Sequence, residues 1–306
     1  MDGERRYSFK VAELTFEVAA PECYDIGRLL PSFAPFRVEE ADPKLFSLTV
    51  RPEPVEVPEG AEKLVEDDND MGHSRLSRTP DGDYCLELSY DESPLPGKSP
   101  CGNNGGIFIA PPDFSRVSAH VAAGAPDCGS ILSSMIRIAF AQAVLMRDGI
   151  SIHASVVAKD GRAFLFLGKS GTGKSTHSRL WLKNIPETHL LNDDNPAIRL
   201  IGGKAIAFGT PWSGKTPCYR NESYPIGGIV RIVRGKENVF MEKKDVAAFM
   251  AILPSCSAVH SDAVLQSHLY DTIADLAVKV PVGELECLPD DAAAIVCYNQ
   301  LKSLIK

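Results

Sequence analysis

The sequence predicts an α/β protein in two parts: a β-rich N-terminal domain over residues 1–125 and a mixed-sheet core over residues 126–306. Three observations carry that prediction. Short stretches of alternating apolar and polar residues dominate the first third. Gly168 to Ser175 (GKSGTGKS) fits G-x-x-x-x-G-K-[ST] at every fixed position, between the apolar run Ala163 to Leu167 and a helical pattern from Thr176 to Leu182. Asp160 and Gly161 lie between that apolar run and another, Ile150 to Ala158, which is a strong hairpin signal.

At 306 residues, with 44% hydrophobic and 24% charged side chains, the chain has ordinary globular composition and length for one large or two ordinary domains. A net charge of −8 provides no basic surface to displace counterions from nucleic acid or to meet anionic lipid, so neither nucleic-acid nor membrane binding is expected. The first ten residues mix Asp2, Glu4, Arg5, Arg6 and Lys10, and no later stretch reads as a run of about 20 apolar residues, which points to a cytoplasmic protein. Homo-oligomerisation stays open. Cys23, Cys85, Cys101, Cys128, Cys218, Cys256, Cys287 and Cys297 are scattered without a C-x-x-C or zinc-ligand spacing, and are expected as core residues or inert surface thiols.

Residues 8–19 (SFKVAELTFEVA) alternate as strands with a turn, and Phe46 to Val50 and Tyr84 to Leu88 repeat the pattern. Pro52, Pro54 and Pro58, then Pro94, Pro96, Pro100, Gly102, Gly105 and Gly106, mark connections. The acidic run Glu66 to Asp70 lacks the spacing and closing glutamate of a calcium loop and is expected as a solvated loop. Residues 130–146 (SILSSMIRIAFAQAVLM) form a helix apolar on nearly every side, expected to be buried and to join the two halves. The hairpin of Ile150 to Ala158 and Arg162 to Leu167 then feeds the glycine-rich loop. Pro186 stops the following helix near Lys183 or Asn184. A strand carries His189 to Asp194, and Gly202-Gly203 turns Ala197 to Ile201 back into Lys204 to Phe208. The loop Gly209 to Asn221 (GTPWSGKTPCYRN) follows. A strand from Ile226 to Val233, helices near Asp245 to Leu253 and Asp262 to Leu276, a strand from Val280 to Cys287 and a helix from Asp290 to Ile305 complete the chain.

The glycine-rich stretch is a P-loop in its required context, strand before and helix after. Gly168, Gly171 and Gly173 allow backbone angles that a Cβ forbids, so the backbone N–H groups of this loop turn inward as an anion nest at a helix N-terminus. Gly168, Ser170, Gly171, Thr172, Gly173, Lys174, Ser175 and Thr176 are therefore the expected phosphate-binding set. Lys174 suits the β- and γ-phosphates of ATP, and the Ser175 hydroxyl suits a Mg²⁺ whose other ligands are mostly water and phosphate. Neighbouring strand residues point to opposite faces, so Asp193 and Asp194 both face the nucleotide only if the strand ends and twists there, as Pro196 suggests. One carboxylate then serves the metal and the other accepts a hydroxyl proton. His153 lies on the strand that partners the one leading into the loop.

Residues 152–198, IHASVVAKDGRAFLFLGKSGTGKSTHSRLWLKNIPETHLLNDDNPAI, resemble the HPr kinase/phosphorylase family and, more distantly, ATP-dependent phosphoenolpyruvate carboxykinase. A bacterial group of HPr-kinase-like proteins sharing the GTPWSGKTPCYRN loop looks closest. The resemblance implies an α/β HPr kinase/PEP carboxykinase-like P-loop core with a mixed sheet and a hairpin-fed P-loop. It implies Lys174 and Ser175 as phosphate and Mg²⁺ residues, and Asp193 and Asp194 as metal-binding and catalytic carboxylates with His153 beside them. It also implies an arginine on the transferring phosphoryl group, for which Arg220 is the first candidate and Lys215 the second. Trp212 is a candidate to shield the site or stack on a base. The glycine-rich signature that HPr kinase uses for its protein substrate has no convincing copy here, nor do the carboxykinase cations for oxaloacetate. The implied function is a Mg-ATP-dependent kinase acting on a hydroxyl of a protein, peptide or small molecule. The alternatives are an ATP-binding regulator without efficient transfer and a simple NTPase.

Overall fold

The structure, a computed structural model, describes residues 3–53, 55–69, 72–90 and 104–305. The chain divides into two units, residues 1–143 and 144–306. The division falls after the long apolar helix, whereas the sequence places that helix at the head of the second domain.

In the first unit the alternating segments pair as β1 (Glu4–Val11), β2 (Leu14–Pro21), β3 (Arg37–Val38), β4 (Lys44–Arg51), β5 (Glu62–Asn69), β6 (Gly72–Arg78), β7 (Tyr84–Ser89), β8 (Gly105–Ala110) and β9 (Arg116–Val121). Their spatial order is β3-β1-β2-β4-β9-β8-β7-β6-β5. Parallel pairing of β4 with both β2 and β9 makes the sheet mixed. Two helices, α1 (Ile26–Leu29) and α2 (Cys128–Ala143), accompany it. Phe16 stacks on Phe46 at 4.8 Å and meets Phe140 of α2 at 6.3 Å, so the apolar side of the helix covers this face.

Three expectations for this unit change. Glu66 to Asn69 lie in β5, paired with β6, rather than in a loop. Lys63 and Arg75, at 2.7 and 2.8 Å, offset the acidic charge there and hold the Glu66 carboxyl down at about 2. Gly105 and Gly106 open β8 instead of marking a connection, because α2 crosses so closely that a Cβ on Gly106 would stand 2.5 Å from Met135. The segment Cys128–Arg147 is long and apolar enough to cross a membrane, contrary to expectation, although 72% of its most apolar window is buried within the protein. Asp2, Pro54, Asp70, Pro94, Pro96, Pro100, Cys101 and Gly102 lie outside the described residues.

The second unit contains β10 (Gly149–Ser151), β11 (Ala154–Lys159), β12 (Arg162–Leu167), α3 (Lys174–Asn184), β13 (His189–Asp194), β14 (Ala197–Ile201), β15 (Lys204–Phe208), β16 (Ser223–Arg234) and β17 (Val239–Lys243). α4 (Asp245–Ile252), α5 (Ala263–Lys279), β18 (Val282–Cys287) and α6 (Asp291–Leu304) follow. Its mixed sheet runs β10-β14-β15-β16-β12-β11-β13, with β18 also on β16 and β17 on β18. Asp160 (φ 50°) and Gly161 (φ 71°) make the primed turn of the β11–β12 hairpin. The expected single strand from Ile150 to Ala158 is two strands. It breaks at Ile152 and His153, where the chain leaves its pairing with β14 and joins β12 and β13. Trp181, Phe164, Phe166, Val230, Leu285 and Leu301 form the core under α3 and α6.

Candidate functional site

β11 runs between β12 and β13, and Ala154 at its start pairs with both Leu167, the last residue of β12, and Asp194, the last residue of β13. Adjacent strands lie about 4.8 Å apart, so these two ends stand about 10 Å from each other, with His153 just ahead of the strand between them. The register alone brings the exit of β12, His153 and the acidic strand end to one edge of the sheet.

The glycine-rich loop leaves β12 at that edge. Gly168 (φ 150°), Gly171 (φ 73°) and Gly173 (φ 119°) have the expected angles, and Gly173 caps α3 with no side-chain bond to its first amides. Thr172 closes the turn, donating to Lys169 O from its amide at 3.1 Å and from Oγ1 at 2.7 Å. Lys174 is buried, and its ammonium donates to Gly168 O at 3.0 Å. Burial pushes its pKa below the ordinary lysine range, while the charges of Asp194 and Asp193 act to raise it. The ammonium therefore senses both carboxylates. Behind the loop, Ser178 of α3 and Ser155 of β11 share a buried hydrogen bond of 2.6 Å. Trp181 Nε1 donates to His177 Nε2 at 3.1 Å, and burial takes His177 down to about 4.

Asp193 is 4% exposed and Asp194 about a third exposed. Asp194 has φ 153°, a value rare for a residue with a Cβ, so the regular strand backbone ends there. His153 Nε2 lies 3.1 Å from Asp194 Oδ1, and its backbone N–H donates to Ser255 O at 2.7 Å. The strand end is held from outside. Buried Asn192 donates to Thr210 Oγ1 at 3.2 Å and Trp212 O at 3.0 Å, and accepts from the Asn195 amide at 3.0 Å. Thr210 Oγ1 donates to Asn195 O at 2.7 Å. Ser213 bridges to Asp194, and the Gly214 amide donates to Asp193 O. Glycine eases that approach, since a Cβ on Gly214 would stand 3.0 Å from Asp193 O, tighter than an ordinary contact.

Of the residues singled out in the sequence, the loop, Lys174, Asp193, Asp194 and His153 meet at this edge, with Ser175 and Thr176 in the first turn of α3. Ser170 is exposed on the loop. Arg220 goes elsewhere: its guanidinium pairs with Glu222 at 3.1 Å, and Glu222 faces His189, the first residue of β13. Trp212 is 5% exposed and fills the core. Lys215 is exposed beside Gly214 and forms no ion pair among the described residues.

Asn192, Thr210 and Arg234 escape the sequence reading. Arg234 ends β16 and donates to Gly171 O and Thr172 O. A signal for the clasp does exist, because Gly209 to Thr216 (GTPWSGKT) repeats G-x-x-x-x-G-K-[ST] directly after β15. Pro217 disfavours helical backbone at Thr216 before it, no helix follows, and the segment packs on the aspartates instead. No group of three His, Cys, Asp or Glu residues among the described residues forms a metal cage. The donors at this edge are carboxylate and hydroxyl oxygens, which fit Mg²⁺ completed by water and phosphate.

No protein-family model and no curated protein matches the chain. Among solved structures, the Hpr(Ser) kinase/phosphatase from Coxiella burnetii aligns with a TM-score of 0.32 and 9% identity, over 50% of this chain and 97% of that chain. A likeness of that size carries no argument about chemistry.

Proposed function

We propose that the second unit is a Mg-ATP-dependent phosphotransferase that moves the γ-phosphoryl group of ATP to a hydroxyl, either a serine of a protein or peptide or a small molecule. The observation that supports this most is the register of β11, with the Lys174 loop on one side and the His153–Asp194 pair on the other. In this reading the loop amides and Lys174 hold the triphosphate and counter the charge that develops on the transferring group. Asp193, buried, and Ser175 would hold Mg²⁺. When bound, Mg²⁺ neutralises charge on the β- and γ-phosphates.

Asp194 is reachable from solvent and is oriented by His153, so it is the base. The bond between the γ-phosphorus and the bridging oxygen breaks with its electrons on ADP, a bond to the acceptor oxygen forms, and the hydroxyl proton passes to Asp194. Lys215 is assigned the cation role on the transferring group, because Arg220 is engaged by Glu222. Labelled ATP with cell lysate, using wild type and Asp194→Asn, tests the reading. The expected result is label transfer lost in the variant with ATP binding retained. Binding without transfer or hydrolysis in either form would sink the kinase in favour of a nucleotide-binding regulator. Phosphate release independent of any acceptor would make the protein an NTPase.

A further inference from the structure

Glycine makes the loop possible and also leaves it underdetermined. Gly171 (φ 73°) and Gly173 (φ 119°) reach angles closed to most residues, and the same freedom lets the peptide planes around Thr172 turn over. Across a trans peptide the carbonyl and the N–H point in opposite directions. A carbonyl turned inward would remove a donor from the nest and set partial negative charge against a phosphate.

Arg234 opposes that turn. Its Nη2 donates to Gly171 O and its Nε to Thr172 O at 3.5 Å, so one guanidinium engages two successive carbonyls. With both held toward Arg234, the N–H groups of Thr172 and Gly173 point away from it. The first closes the turn on Lys169 O, and the second joins the free amides opening α3. The side chain of Arg234 is exposed, but its backbone is anchored, since β16 pairs with β18 as far as Arg234 and Cys287. The next residue is a glycine whose Cβ would stand 2.1 Å from the Glu286 side chain. A planar fork suits two carbonyls in a way an ammonium does not.

We propose that Arg234 is a positioning residue for nucleotide binding, holding the Gly171 and Thr172 carbonyls outward so that the loop is preorganised for an anionic phosphate. The proposal rests on the reading of this loop as a phosphate nest. The test measures ADP affinity by calorimetry, melting temperature and amide exchange of residues 170–173 in wild type, Lys174→Ala, Arg234→Ala and Arg234→Lys. Arg234→Ala is expected to weaken ADP binding about tenfold, because only the preorganising share of its two hydrogen bonds is lost on binding, and to keep its melting temperature within about 2 °C. Exchange at Thr172 and Gly173 accelerates, and millimolar guanidinium, but not methylammonium, restores affinity. Arg234→Lys falls between the two. Wild-type affinity in Arg234→Ala overturns the proposal, as does a loss that follows melting temperature and resists guanidinium. Failure of the underlying reading looks different. If wild type does not bind ADP, or Lys174→Ala binds it equally well, the nest itself is absent and the role of Arg234 goes with it.

Discussion

The glycine-rich loop and the strand end at Asp194 flank the same residue, Ala154, yet they are held in opposite ways. Apart from Arg234, the loop is closed by its own neighbours: Lys174 reaches back six residues to Gly168 O and Thr172 three to Lys169 O. The strand end depends on a segment far along the chain, with Asn192 bonded to Trp212 across 20 residues. A locally closed loop can form its turn early, with Arg234 left to fix the direction of two peptide groups. A strand end held by distant partners takes shape only when the sheet is complete. Binding and chemistry should therefore be separable by mutation.

The largest effects test that separation directly. Lys174→Ala should weaken ADP binding by about 10²-fold or more, since it removes the buried cation of the nest. Asp194→Asn should lower transfer by about 10³-fold, roughly 4 kcal/mol, with ADP affinity within about threefold of wild type. Calorimetry and single-turnover transfer measure the two. Equal loss of binding in both variants would break the comparison.

Next is acid stability. His177, on the loop side, has a folded pKa of about 4 against 6.5 for the free side chain, because burial disfavours its charged form. Between those values the unfolded chain binds the extra proton. Stability is therefore complete above pH 6.5 and falls as pH drops toward 4, by on the order of 3 kcal/mol. Urea titrations of wild type and His177→Leu at pH 7, 5 and 4 check this, and the variant should lose the His177 share of the slope.

Asn192→Ala should cost about 2 kcal/mol, because it strands buried partners at Thr210, Trp212 and Asn195. Its signature is slower transfer with unchanged ADP affinity. Arg220→Ala is the smallest change, about 0.5 kcal/mol or less for an exposed pair with Glu222, with transfer within about twofold. Lys215→Ala, by contrast, should slow transfer about tenfold or more. The reverse ranking would return the role to Arg220.

Local signals carried most of the second unit. The primed turns at Asp160-Gly161 and Gly202-Gly203, the helix after Lys174 and the strand ending at Asp194 are all present, because each is set by neighbours in the chain. β17 went unpredicted: its exposed, weakly alternating residues are strand only through pairing with β18. The same holds for β5, an acidic stretch that cross-strand cations make tolerable.

The residues themselves determined that a nest is possible here, since glycine at 168, 171 and 173 permits the backbone angles and Lys174 supplies the charge within one turn of chain. Tertiary structure decided the rest. Gly168 to Ser175 and Gly209 to Thr216 carry the same spacing, yet one caps a helix and the other lies against Asp193 and Asp194. Pro217 disfavours helical backbone at Thr216, and the Gly214 amide instead finds its partner in Asp193 O at the end of β13.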